Sequence, residues 1–400
     1  MFASRKVKVI GVDISQHAVD TINRGRIHIV EPELDMIVRA AVTDGWMRAT
    51  TTAEPADAFL IAVPTPFHGD HEPDISYVKA AIESIAPVLK KGDIVILEST
   101  SPVGTTECIV KWLSQWRTDL VIASSDSDVC DVYVAYCPER VLPGQVVREL
   151  VDNDRIIGGI NPASSKRAQE VYRVFVQGEL MLTDARTAEM AKLTENAYRD
   201  VNIAFANELS LICDRLNINV WELIRFANHH PRVNILQPGP GVGGHCIAVD
   251  PWFIVNKTPD QARLIRTARE VNDGKPEWVI RKVQAQIDAL TAAGKNEQDI
   301  RIACFGLAFK PNIDDLRESP SLDITLKLAG LYPGQVVAVE PNIEEAPAKL
   351  TNAGVRLLTQ QEALERADVL LMLVDHAEFK ERIPEFRTEQ RLVDAKGIWA

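Results

Sequence analysis

Thirty consecutive residues, 187–216, contain neither glycine nor proline. Apolar positions at Met190, Leu193, Ala197, Val201, Ala204 and Leu211 recur through them at helical intervals, which predicts one long helix. An element of that length divides the chain. Before it, β-rich runs alternate with amphipathic stretches: residues 7–13 then 18–24, 58–63 then 75–89, and 93–98 then 106–116. That rhythm predicts βαβ units around a parallel sheet. After residue 300 it returns, with strands expected at 301–305, 336–340, 369–374 and 391–394. The expected fold class is therefore α/β, with two Rossmann-like domains joined by a central helical domain. The boundaries implied are 1–185, 186–295 and 296–400.

Within the central third, two shorter helices are expected at 221–227 and 259–273, and helical patterning continues through 293. They frame a loop rich in proline and glycine at 231–244, while 124–131 is a polar, acidic loop.

Charge and cysteine usage exclude several functions. Against 44 basic side chains stand 56 acidic ones, a net charge of −12, which has the wrong sign for general attraction to nucleic acid or an anionic membrane surface. An anionic ligand must then be held by a local basic pocket. The six cysteines (Cys108, Cys130, Cys137, Cys213, Cys246, Cys304) form no C-x-x-C pair, so no metal site is expected. No apolar run reaches membrane-spanning length, and the first residues lead straight into a strand pattern without a cleavage signal. A reducing, cytoplasmic setting is expected.

One G-x-G-x-x-G match, at Gly239, Gly241 and Gly244, follows a proline-rich loop instead of a strand and precedes Cys-Ile-Ala-Val-Asp-Pro instead of a helix start. It is not read as a dinucleotide fingerprint. Glycines there allow backbone to approach a ligand closely and present Cys246. Asp13, at the end of the first strand, is placed where a carboxylate can bond ribose hydroxyls.

Cys246 on this glycine loop, with Asp250 four residues on, is the first candidate for chemistry; an ordinary core cysteine is the competing reading. A thiolate adds to an aldehyde to give a thiohemiacetal, whose loss of hydride leaves a thioester that water cleaves. On the long helix Lys192, Asn196 and Arg199 share one stripe, either a solvated face or a source of oxyanion stabilisation. Arg140, His230, Arg232, Lys310 and Arg317 sit at loop positions, each alone an ordinary surface group and together able to neutralise a diphosphate.

Six ordered segments then carry a resemblance across essentially the whole chain: Val-Pro-Thr-Pro at 63–66, Glu-Ser-Thr-Ser-Pro-Val-Gly at 98–104, Cys-Pro-Glu-Arg at 137–140, Glu-Met-Ala-Lys-Leu-Thr-Glu-Asn at 189–196, Gly-Val-Gly-Gly-His-Cys at 241–246 and Gly-Leu-Ala-Phe-Lys-Pro at 306–311. The chain resembles the nucleotide-sugar 6-dehydrogenases, the UDP-glucose/UDP-N-acetylmannosamine dehydrogenase family. Gly-Gly-His-Cys-Ile-Ala-Val-Asp-Pro at 243–251 is similar to the branch acting on 2-acetamido sugars.

The resemblance implies Cys246 as nucleophile, Lys192 as acid/base or oxyanion partner, Asn196 as its assistant, Asp250 as the group that orients or activates water, and Glu139 as a positioning or deprotonating group. It implies a UDP-sugar site lined by Arg140, Val141, Arg199, His230, Arg232, Gly243, Phe309 and Lys310, and NAD contacts from Asp13, Thr65, Thr106 and Arg317. It further implies a homodimer through the long helix and a four-electron oxidation of the sugar C6 alcohol to a carboxylate, consuming two NAD and one water. The product would be an aminouronic acid for surface polysaccharide, such as enterobacterial common antigen.

Family members begin with a strand and a Gly-x-Gly-x-x-Gly turn, and neither is present here. The first domain is therefore expected to be N-terminally incomplete, the strand ending at Asp13 is expected not to pair with the one at 58–63, and the chain as written is expected to bind NAD weakly. An upstream start and a genuine truncation both remain open. Three rival functions remain open too: the same chemistry on UDP-N-acetylglucosamine, a two-electron hydroxyacid dehydrogenase needing no cysteine, and a non-catalytic UDP-sugar-binding remnant.

Overall fold

A computed structural model describes residues 1–27, 33–69, 71–141, 145–244, 246–381 and 383–399. The chain separates into two compact units, Met1–Glu195 and Asn196–Ala400.

In the first unit the order is β1 (Val9–Val12), α1 (Gln16–Asn23), α2 (Leu34–Thr43), β2 (Met47–Thr50), β3 (Ala58–Ile61), the short hairpin β4 (Phe67–His68) and β5 (Glu72–Pro73), α3 (Ser76–Ile85), β6 (Ile94–Leu97), α4 (Thr105–Trp116), β7 (Tyr133–Tyr136), α5 (Val146–Asp152), β8 (Arg155–Gly159), α6 (Pro162–Tyr172) and β9 (Leu180–Asp184). α7 (Ala185–Leu216) follows without a break, as its lack of glycine and proline requires. Among the described residues β1 pairs only with β2, while β3, β6, β7, β8 and β9 form a separate sheet in that order. Among the described residues the strand leading to Asp13 thus has no partner in β3, as expected.

The sheet differs from the all-parallel expectation at one seam, because β8 runs antiparallel to β7. β8 and β9 also lie outside the strands read from the sequence; Arg-Ile-Ile-Gly-Gly and Leu-Met-Leu-Thr-Asp are short and do not alternate cleanly. β6 has all four residues buried, because helices cover both faces of a mostly parallel sheet. Each such Ile, Leu or Val stabilises by roughly 1.5–3 kcal/mol relative to exposure.

The second unit continues with α8 (Val220–Ala227), α9 (Asp250–Lys257), α10 (Arg263–Ala292), β10 (Ile302–Phe305), α11 (Pro320–Leu331), β11 (Val336–Val339), α12 (Ala348–Asn352), β12 (Arg356–Leu357), α13 (Gln360–Arg366), β13 (Val369–Met372), α14 (Ala377–Glu381) and β14 (Arg391–Asp394). Its sheet order, β12-β11-β10-β13-β14, is parallel throughout and is that of a Rossmann-like sheet. The helix expected at 259–273 begins at Arg263 and runs on to Ala292 with Pro276 inside it. A proline gives up one backbone bond, but the buried face from Ala268 to Leu290 continues on both sides of it. α9 is a second correction: the segment after the glycine loop does reach a helix start, at Asp250, with Pro251 in its first turn. No helix among the described residues is long and apolar enough to cross a membrane.

Candidate active site

The glycine loop turns into α9 through Cys246, whose carbonyl accepts the backbone N–H groups of Val249 at 3.1 Å and Asp250 at 2.9 Å. Cys246 is exposed. That disposes of the core-cysteine reading. Asp250 is buried at the N-terminal turn of α9, where the helix dipole favours a carboxylate, and Asn196 donates to its Oδ2 at 2.5 Å. The structure therefore brings Cys246, Asp250 and Asn196 together within the second unit. Asn196 is buried, so this part of the Lys192, Asn196, Arg199 stripe is not a solvated face, although Arg199 is exposed.

Backbone proximity explains the glycines. A Cβ on Gly243 would meet the Glu318 carbonyl at 2.5 Å and Phe309 Cβ at 2.8 Å, and Gly244 has φ +78°. The glycine loop thus rests on the segment that carries Phe309, Lys310 and Arg317. The Arg317 guanidinium is held charged chiefly by its bond to Asp315, with a smaller contribution from Cys246. Arg317, expected at NAD, thus lies within electrostatic reach of Cys246. His230 and Arg232 lie exposed, with the Arg232 N–H donating to His230 Nδ1 at 3.4 Å.

The first unit gathers another group. Lys192, half-buried on α7, donates from Nζ to the Glu139 carbonyl at 2.8 Å. Arg140 pairs with Glu195 at 2.7 Å and donates to the Asp154 carbonyl at 3.2 Å. Val141, beside them, is half-buried. The Glu139 carboxylate accepts from its neighbour's Arg140 N–H at 2.7 Å and from Arg155 at 3.2 Å.

Three acidic residues inside the quoted motifs were given no role by sequence reasoning. Glu195 is the partner of Arg140 described above. Glu189, fully buried on α7, accepts the Gly104 N–H at 2.6 Å, the Thr106 N–H at 2.8 Å and the Thr106 hydroxyl at 2.6 Å, capping α4 from a distant element. Burial pushes its carboxyl up from the usual range, against the lowering effect of these bonds. Glu98 accepts from the Tyr172 hydroxyl at 2.5 Å, in a cluster with Cys137, Arg155 and Glu139. Arg155 is buried with its guanidinium over the rings of Tyr172 and Phe175. Sequence spacing gives little sign of such pairs, whose members are 55 to 85 residues apart.

NAD can be tested against the first unit. β3 and β6 are parallel, and the loops at their carboxyl ends are tied together: the Val63 N–H donates to Ser99 Oγ at 2.8 Å, and the Thr65 hydroxyl donates to the Thr100 carbonyl at 2.5 Å. Asp13 is exposed at the carboxyl end of β1. The carboxyl ends of β3 and β6 fit a dinucleotide, and Asp13, on the separate β1–β2 sheet, is a strand-end carboxylate of the kind that bonds ribose. Thr106, expected to touch NAD, is fully buried with both its N–H and hydroxyl on Glu189, so this geometry offers no direct contact through it.

Comparisons with known proteins agree with this anatomy. Residues 1–176 match the NAD binding domain of the UDP-glucose/GDP-mannose dehydrogenase family, residues 186–274 its central domain and residues 303–400 its UDP binding domain. A UDP-N-acetyl-D-mannosamine dehydrogenase of Escherichia coli K12 is 64% identical over all of this chain and 95% of its own length. An NDP-N-acetyl-D-galactosaminuronic acid dehydrogenase of Ralstonia nicotianae is 60% identical over all of this chain and 92% of its own. The solved UDP-D-ManNAc dehydrogenase of Pyrococcus horikoshii superposes with a TM-score of 0.87 at 37% identity, covering 99% of this chain and 91% of that one. The chain belongs to the UDP-glucose/GDP-mannose dehydrogenase family and is an NAD-dependent oxidoreductase.

Proposed function

We propose that this chain oxidises the C6 alcohol of UDP-N-acetyl-D-mannosamine to the carboxylate, forming UDP-N-acetyl-D-mannosaminuronate for surface polysaccharide. The observation that carries this reading is the exposed Cys246 at the turn into α9, with the Asn196–Asp250 pair buried behind the same turn.

Asp13 and the Thr65 loop would hold NAD, which when bound would accept the hydride of each of the two oxidations. In the first oxidation C6 gives up a hydride and its hydroxyl proton passes to water, leaving the aldehyde. Cys246 then adds through sulfur to the aldehyde carbon, and the Lys192 ammonium stabilises the oxyanion that develops. Loss of hydride from that carbon leaves a thioester on Cys246. Asp250, oriented by the Asn196 carboxamide, takes a proton from the water that attacks the thioester, and sulfur departs as thiolate. One sugar thus consumes two NAD and one water. Glu139 positions the Lys192 side, while Arg140, Val141, Arg199, His230, Arg232, Gly243, Phe309 and Lys310 hold the UDP-sugar.

The active form is a homodimer. Tyr198, Phe205 and Ile212 recur every seven residues on α7 and are 69%, 52% and 46% exposed, an apolar stripe suited to a second copy of the same helix.

The test is stoichiometry. The chain supplied with UDP-N-acetyl-D-mannosamine should form two NADH per sugar, and Cys246→Ser should form no uronate. Equal turnover by Cys246→Ser, or a single NADH per sugar in the parent chain, would refute the thioester route. Parallel assays with UDP-N-acetylglucosamine and the galacto epimer decide the sugar.

A further inference from the structure

In a Rossmann-like sheet the turn after the first strand offers backbone N–H groups to an anion. After β10 those groups are already occupied. Oε2 of Glu340, the residue following β11, accepts the N–H of Leu307 at 2.7 Å and of Ala308 at 3.1 Å. The same oxygen lies 3.1 Å from Nε2 of His376, which follows β13. His376 is wholly buried and Glu340 nearly so. Burial favours the neutral acid, but the bonds from His376 and Leu307 outweigh it and hold Glu340 below its usual range, as a carboxylate.

The other ring nitrogen of His376 is also engaged. Nδ1 accepts the backbone N–H of Asn312 at 3.0 Å, which leaves Nε2 as the nitrogen that donates to Glu340. Asn312 itself has φ +62°, a left-handed conformation asparagine tolerates, and its Oδ1 accepts the Ala377 N–H at 2.8 Å. Residues 307–312 are therefore pinned at both ends, and Phe309 and Lys310 lie between the pins. Phe309 in turn packs against the glycine loop: a Cβ on Gly244 would meet its ring at 3.1 Å, and the Gly244 N–H donates to the Glu318 carbonyl at 3.3 Å.

We propose that the Glu340–His376 pair is the positioning device for nucleotide binding: through the N–H groups of Leu307, Ala308 and Asn312 it holds Phe309 and Lys310 in the conformation that grips the UDP part of the substrate. The inference rests on reading residues 303–400 as the UDP-binding part of a UDP-sugar enzyme. Glu340 also occupies the N–H groups that a pyrophosphate would need at this turn, so a diphosphate bound by this unit must be held elsewhere, by side chains such as Lys310.

Calorimetric titration of UDP into the full chain tests this without depending on turnover. His376→Gln keeps a donor for Glu340 and loses the acceptor for Asn312, whereas His376→Asn keeps that acceptor. The expected result is UDP affinity about tenfold weaker in His376→Gln, with an unfolding midpoint close to that of the parent, and affinity restored to within about threefold in His376→Asn. Glu340→Gln, of the same shape but uncharged and able to set an NH₂ group against the Leu307 and Ala308 N–H groups, should also weaken UDP. It decides the matter should His376→Gln fail to fold. Parental affinity in His376→Gln, equal weakening in His376→Asn, or parental affinity in Glu340→Gln would overturn the proposal. A parent chain that binds no UDP would overturn the proposed function and this inference with it, whereas tight parental binding with indifferent variants would overturn this inference alone.

Discussion

The Asn196 carboxamide donates to the Asp250 carboxylate at 2.5 Å, joining α7 to the first turn of α9 one helical turn beyond Cys246. An orienting amide on a buried carboxylate fixes which of its oxygens faces a substrate water. Asp250→Asn should therefore stall at the thioester, lowering kcat by about 10²–10⁴ while sulfur is still acylated. Mass spectrometry of quenched protein should show the uronyl adduct on the Cys246 peptide. Asn196→Ala should show a smaller fall of the same kind, and loss of activity without adduct in both variants would remove Asp250 from the hydrolytic step.

Glu98 gives a pH dependence of stability. Part of its side chain meets solvent, but its carboxyl is enclosed by Tyr172, Cys137, Arg155 and Glu139, and burial raises it from 4.5 to about 7 against the lowering effect of Tyr172. The folded chain then binds the Glu98 proton more tightly than the unfolded one. Its contribution is intact below pH 4.5 and is lost as pH climbs to about 7, a loss of at most roughly 3 kcal/mol. Glu98→Gln should flatten the change in unfolding midpoint across that window, and an unaltered slope would contradict the assignment.

Glu189 offers a sharper stability test. Glutamine has the same shape but turns an NH₂ group toward a backbone donor, so Glu189→Gln should cost about 1–3 kcal/mol through an unsatisfied N–H at the start of α4. Urea unfolding at neutral pH measures this. A variant as stable as the parent would mean that the cap is replaceable by water.

The α7 stripe predicts assembly. Phe205→Asp places a charge on the proposed dimer face, where it would be desolvated without a partner. Sedimentation should show the parent as a dimer and the variant shifted to monomer, with the circular dichroism of the parent retained. A monomeric parent chain would end the proposal.

Much of this anatomy was legible in the sequence, for identifiable reasons. α7 announced itself by thirty residues without a helix breaker, and the second sheet by buried apolar runs such as Ile302–Phe305. Cys246 and Asp250 stood out because glycines around a cysteine make poor core. β8 and β9 were not legible, since Arg155 and two glycines in β8 interrupt its apolar pattern and polar Thr183 and Asp184 end β9. α9 was hidden behind a glycine loop that appeared to continue into irregular chain. Glu98, Glu189, Glu340 and His376 lay beyond any periodicity argument, because each is defined by a partner that only folding delivers.

The capped start of α4 bears on inhibitor chemistry. With the Glu189 carboxyl already seated on the Gly104 and Thr106 amides, that helix end has no such N–H groups left to offer a sulfonate or phosphonate. A nucleotide mimic aimed at the first unit gains more from a neutral linker there, keeping its acidic groups for places where the protein has left amides vacant.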